Sequence, residues 1–208
     1  MGRYFLWGAL VAALIAIAVA ALLERGMRSG GGGGAVRAEL PVLGVVPDFE
    51  LTNRDGRTVR RADLLGRPWI ADFIFTRCQV SCPIITGRLA DVQSRLPDSE
   101  TPLVSFSVDP AHDTPEVLQA FAEEWGAEDR WLFLTGSTEE IYDLVRSGFK
   151  LGLDPPDELA DVNPDEPIAH STKLVLVDAE GRIRGYYNGM TPDGADQLLQ
   201  DLPQLLAR

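Results

Sequence analysis

Apolar and polar positions alternate along this chain in blocks that change period. Residues 69–75, WIADFIF, are apolar at both parities except for Asp72, which predicts a strand buried on both faces with one carboxylate inside it. LVSFSV at 103–108, WLFL from Trp131 and TKLVLV from Thr172 predict three more strands. RIRGYY follows the turn DAEG and reads as a hairpin partner of the last of these. Upstream, short apolar pieces are broken by turn residues, and residues 53–56 form a predicted hairpin turn. Between the strands the period lengthens to that of helices. PIITGRLADVQSRL is predicted to start at Pro83, since proline suits a first helical turn. DTPEVLQAFAEEW carries Asp113 and Glu116 at capping-box spacing, and STEEIYDLVRSG carries Ser137 and Glu140 at the same spacing with Gly148 as a stop. Residues 193–206 are amphipathic, interrupted at Pro203.

Strands separated by helices, then a hairpin and a closing helix, predict an α/β fold with helices on both faces of one sheet. A thioredoxin-like central sheet is the natural topology.

The first block differs from all of these. Residues 5–23, FLWGALVAALIAIAVAALL, contain no charge and no proline. That length is close to the roughly 20 residues a helix needs to cross a bilayer. The cleavable core of a signal peptide is shorter, about 7–15 residues, so an uncleaved transmembrane anchor is expected. Five glycines at 30–34 then read as a flexible tether. The organisation expected is a short tail (1–4), an anchor (5–23), a Gly-rich tether (24–39) and one soluble domain (40–208).

Composition narrows the function classes. The formal net charge is -12, and a surface this acidic lacks the basic face that phosphate contacts need, so no nucleic-acid partner is expected. Only two cysteines are present, Cys78 and Cys82, too few for a disulfide scaffold. A bridge between them would close a very small loop and remove little entropy from the unfolded chain. Chemistry, rather than stability, is the better reason for the pair.

The pair follows a predicted strand and precedes a predicted helix. Pro83 disfavours helical geometry at Cys82, which puts Cys82 at the helix mouth, where free amides and the helix dipole favour a thiolate. Arg77 would add to this if its side chain turned inward. Two sulfurs at this offset could close a disulfide or converge on one ion; the plain alternative is two buried thiols serving as small hydrophobes.

Two histidines complete the inventory. His112 lies in a polar turn and reads as a surface or capping residue, whereas His170 immediately precedes a core strand. A structural zinc site would need Cys78, Cys82, His112 and His170 together, with the histidines far from any finger spacing. Two thiolates and one imidazole instead suit copper, with water or Asp109 as an added oxygen ligand.

Four stretches, FIFTRCQVSCP, SVDPAHDTP, LTG and IAHSTKLVLVDAEG, occur in an order and context that resembles the SCO/SenC family of membrane-tethered, thioredoxin-like copper proteins of cytochrome c oxidase assembly. The likeness runs from Pro47 to Tyr187 and includes the N-terminal anchor. It implies that Cys78, Cys82 and His170 are copper ligands. It implies a domain on the periplasmic side of a bacterial membrane, or in the intermembrane space of a mitochondrion. It also implies a partner in the oxidase subunit that carries the binuclear copper site, with other copper chaperones or thiol reductants as further partners. One position departs: family members commonly have proline after the first cysteine, and here Gln79 stands there.

Two functions are expected to compete for the same sulfurs. One is a metallochaperone that delivers copper by ligand exchange. The other is a thiol-disulfide reductase, with Cys78 and Cys82 as its catalytic redox pair, that prepares the oxidase cysteines for metal. A peroxidase of the same fold has no independent signal in the sequence. Residues 154–167, with six acids, four prolines and no base, read as a solvated loop or as an acidic arm leading to His170.

Overall fold

The computed structural model describes residues 39–96, 100–153 and 171–206. The apolar run 5–23, the tether up to residue 38, the acidic stretch 154–167 and His170 lie outside the described residues. Among those described, no helix is long and apolar enough to cross a membrane. Residues Leu40–Arg208 form one compact unit.

That unit is the expected thioredoxin-like α/β fold. Its strands are β1 (Gly44–Val45), β2 (Glu50–Asn53), β3 (Thr58–Arg60), β4 (Trp69–Ile74), β5 (Leu103–Ser107), β6 (Trp131–Thr135), β7 (Lys173–Val177) and β8 (Arg182–Asn188). Its helices are α1 (Ser81–Ser94), α2 (Pro115–Glu124), α3 (Thr138–Asp143), α4 (Pro192–Asp201) and α5 (Pro203–Leu206). The eight strands form one sheet in the order β1-β8-β7-β4-β5-β6-β2-β3. β4, β5 and β6 are parallel, while β7 runs antiparallel to β4 and to β8.

Every residue of β4 is buried, so both faces of the sheet are covered there. On one face Phe73 and Phe106 stack at 5.6 Å, and Phe149 packs edge-on to Phe73 at 4.9 Å. On the other, Phe133 of β6 packs against Phe121 of α2 at 6.1 Å. Asp72 lies on this second face. Its carboxylate accepts from Ser105 Oγ at 2.5 Å, and Ser105 accepts from the Trp131 indole N–H at 2.9 Å. The odd carboxylate of the apolar strand is thus held in a hydrogen-bonded chain across three strands.

Helix ends show where local reading holds and where it does not. Ser137 and Glu140 form the expected capping box of α3, which passes into a π-helical turn ending at Gly148. The tail breaks between α4 and α5, as Pro203 requires. α1 begins at Ser81, two residues before Pro83, because a proline within the first turn lacks only an N–H that has no intrahelical partner. α2 is capped by Thr114, whose hydroxyl accepts from Val117 N at 3.4 Å; Asp113 does not cap it.

Chain succession positions the site. From β4 the chain moves to β5 and β6 on one side, then returns to β7 on the other side of β4. The loop leaving β4 therefore lies where the direction of progression reverses, the usual binding crevice of an open α/β sheet.

Candidate metal centre

The loop leaving β4 turns at once. Cys78 N donates to Phe75 O at 3.2 Å, and three residues later α1 begins. The residue preceding the helix, Val80, offers no side-chain acceptor to the first amides. Cys78 does: Cys82 N donates to Cys78 Sγ at 3.2 Å. The sulfur of the first cysteine thus takes the place of a helix cap. A second amide serves the second sulfur, with Phe75 N donating to Cys82 Sγ at 3.4 Å. Ser81 Oγ lies 3.4 Å from Cys78 Sγ. Both cysteines are free thiols, not a disulfide.

The two sulfurs are not equivalent. Cys82 is wholly buried, and Cys78 keeps 6% of its surface exposed. Burial, then the hydrogen bond and charge of Cys78, push the Cys82 thiol far above its ordinary range. The Phe75 amide opposes this, and the negative charge of Asp72 adds to it. Cys82 is therefore a protonated thiol that must shed a proton before it can bind a metal. At Cys78 the sulfur accepts from one amide of the first helical turn, that of Cys82.

Arg77 does not turn toward the sulfurs. Its guanidinium grips Asp109, with Nη2 at 2.5 Å and Nε at 3.0 Å from Oδ2. This settles two points that the sequence leaves open: Arg77 is committed to a carboxylate, and Asp109 is committed to Arg77. The neighbouring Asp113 is fully buried. It accepts from Thr76 Oγ1 at 2.6 Å, Thr76 N at 3.2 Å and Ser107 Oγ at 2.6 Å. Burial raises its carboxyl above the usual value, against the pull of these donors.

The structure thus brings Cys78 and Cys82 together at one helix mouth. His112 is exposed in the β5–α2 turn, and no group of three or more potential ligands forms among the described residues. His170 lies outside them. The described strand that follows it, β7, runs antiparallel to β4 and starts at the end of the sheet where β4 finishes. The Thr76, Arg77, Asp109 and Asp113 contacts were missed in the sequence because each joins positions more than thirty residues apart. Gln79 is exposed beside the pair.

Two closely placed soft sulfurs at the mouth of a helix can hold a soft metal ion or exchange electrons as a dithiol. The chain is similar to known proteins in sequence and in fold. A family model described as SCO1/SenC matches residues 39–207. The SCO1 protein homolog of Bacillus subtilis (strain 168) is 34% identical over 161 residues, spanning 76% of this chain and 80% of that protein. A Stutzerimonas stutzeri protein named as a candidate copper-binding protein is 31% identical over 170 residues, spanning 80% and 79%. The solved structure of BsSco is 32% identical with a TM-score of 0.71, covering 82% of this chain and 98% of that one. BsSco is described there as a Sco family member, among cytochrome c oxidase assembly proteins, in which a disulfide switch was identified. With a family model spanning the whole compact unit and the cysteine pair at the helix mouth, the chain belongs to the SCO1/SenC family.

Proposed function

We propose that this chain is a copper metallochaperone, held at a membrane by residues 5–23 through the tether 24–39. In this reading it delivers copper to the binuclear copper site of cytochrome c oxidase. The observation that carries the reading is the pair of free thiols at one helix mouth, bonded through Cys82 N–H to Cys78 Sγ. The copper named for the S. stutzeri relative and the oxidase assembly named for BsSco support the cargo and the recipient. Cys78, Cys82 and His170 are the ligands. Support for His170 comes from its place in the sequence, three residues before Lys173, where β7 begins at the end of the sheet that carries the cysteines.

The donor set fits the cargo: two sulfurs and one imidazole match soft Cu(I), and an added oxygen ligand accommodates Cu(II). The chain's own work is to keep both thiols reduced and close, to release the Cys82 proton as copper arrives, and to give the ion up when a partner's cysteines displace these ligands in turn. Oxidation of the pair would expel copper and so couple loading to redox state. The recipient is the oxidase subunit carrying the copper site, and the domain faces the periplasm, or the intermembrane space if the protein is mitochondrial. Other copper chaperones would load it, and thiol reductants would restore the pair.

The inequality of the two thiols favours one further activity. A more exposed Cys78 can attack a partner disulfide, and a buried Cys82 can resolve the mixed disulfide, so the same pair would serve as a thiol-disulfide reductase. The test mixes the copper-loaded chain with a soluble recipient fragment under reducing conditions. Movement of copper to the fragment supports delivery. Reduction of the fragment's disulfide with no copper transfer would leave the reductase reading in its place.

A further inference from the structure

The β5–α2 turn holds two buried carboxylates that bind the cysteine loop, not the helix they precede. We infer that Asp113 is a positioning residue for the metal centre, acting through Thr76 to fix where the cysteine loop leaves the sheet. This rests on the copper reading above.

Three polar groups converge on this one side chain. Thr76 gives it both its backbone N–H and its hydroxyl, and Ser107 at the end of β5 gives a second hydroxyl. Ser107 Oγ also accepts from Asp109 N at 3.1 Å, and Asp113 N donates to Asp109 O at 2.9 Å. The turn is therefore tied to itself and to β5 before it reaches across to β4. Thr76 is held at two points, and Cys78 follows two residues later. Between them Arg77 is pinned to Asp109 of the same turn. A loop fixed at consecutive residues has little freedom left in the placement of its first sulfur. Such pre-organisation is what an outer-shell partner contributes to a metal site.

Nothing in the capping of α2 accounts for this carboxylate, because Thr114 caps that helix. The geometry also says what a substitute must do. Asparagine can keep its oxygen where Thr76 N and Ser107 Oγ donate and place its amide toward Thr76 Oγ1, which then turns to accept. Asp113→Asn should hold the loop without the charge. Asp113→Ala loses all three bonds, and Thr76→Val loses only the hydroxyl bond.

The test uses the full-length chain and two readouts: anaerobic copper affinity, and the equilibrium of the cysteine pair in a glutathione buffer. Asp113→Ala should weaken copper binding about tenfold, the lower end of what loss of an outer-shell partner costs, and should shift the dithiol–disulfide balance. Asp113→Asn should restore both to within about threefold of wild type. Adding Thr76→Val to Asp113→Ala should cost nothing more, because both act through one contact. A folded Asp113→Ala that matches wild type in both readouts would overturn the inference, as would full additivity of the two changes. If Asp113→Ala fails to fold, Thr76→Val alone decides, by weakening binding or leaving it untouched. If wild type binds no copper, the copper reading fails, and the glutathione equilibrium still decides whether Asp113 positions the pair.

Discussion

Cys82 N lies 3.2 Å from Cys78 Sγ, so the first cysteine caps the helix in whose first turn the second one sits. The pair is thus sorted into an outer sulfur that meets a helix amide and an inner one that is wholly buried. The sorting has chemical consequences.

The outer sulfur should react first. Cys78 is the only one of the pair with exposed surface, and access decides which thiol reacts first. Brief alkylation of the reduced protein, followed by peptide mass analysis, should find the label on Cys78 well before Cys82. Preferential labelling of Cys82 would contradict the assignment.

The inner sulfur should make the reduced protein sensitive to alkali. The ordinary Cys value is 9.0, and the folded-state value of Cys82 lies above it. Below that pH the thiol is protonated in both states and its contribution to stability is complete. Above it the unfolded chain ionises first, so stability falls by about 1.4 kcal/mol per pH unit from this residue alone. Urea unfolding under reducing conditions should show wild type losing stability between pH 9 and 10 more steeply than Cys82→Ala. Equal slopes would refute it. The same proton must leave when copper binds, so apparent copper affinity should rise with pH.

A second buried charge lies at the far end of the sheet. Arg184 and Asp178 pair at 2.8 Å with side chains 2% and 4% exposed, and Arg184 also donates to the carbonyls of Leu40 and Pro41. It thereby fastens the first residues of the compact unit to β8. Burial pushes the Asp178 carboxyl up, but hydrogen bonds from Arg184 and Arg182 outweigh it and leave the carboxyl below its usual 3.8. This stability is present above that value and is lost as pH falls through the lowered one. Asp178→Asn removes the charge that Arg184 meets at 2.8 Å inside the protein, and should cost more than the ~1 kcal/mol of a surface ion pair in denaturant unfolding at neutral pH. A loss below about 1 kcal/mol, the range of a surface ion pair, would show that the charge is not needed.

The sheet was legible because period and burial agree. WIADFIF could only be a strand covered on both faces, and the turn DAEG made the final hairpin. The site was legible in part. A cysteine pair between a strand and a helix marks its place by local rules alone, but Pro83 predicts Cys82 at the entry, outside the helix, whereas α1 starts at Ser81 and takes Cys82 into its first turn. The spacing of Asp113 and Glu116 misled, since a carboxylate ahead of a helix suits a cap, and only the tertiary fold supplies Thr76 and Ser107 as rival donors. The direction of Arg77 stayed open for the same reason: its partner, Asp109, is distant in sequence, and the direction of a long side chain is set by what it meets. Asp72 was recognised as an oddity, but its resolution through Ser105 and Trp131 needed the strand register.

The most direct measurement is an anaerobic copper titration of the reduced full-length chain beside His170→Ala, with thiol–disulfide exchange followed in both. One copper should bind per wild-type chain, His170→Ala should bind it clearly more weakly, and that variant should largely retain exchange. No copper bound by the reduced wild-type chain would contradict the copper reading.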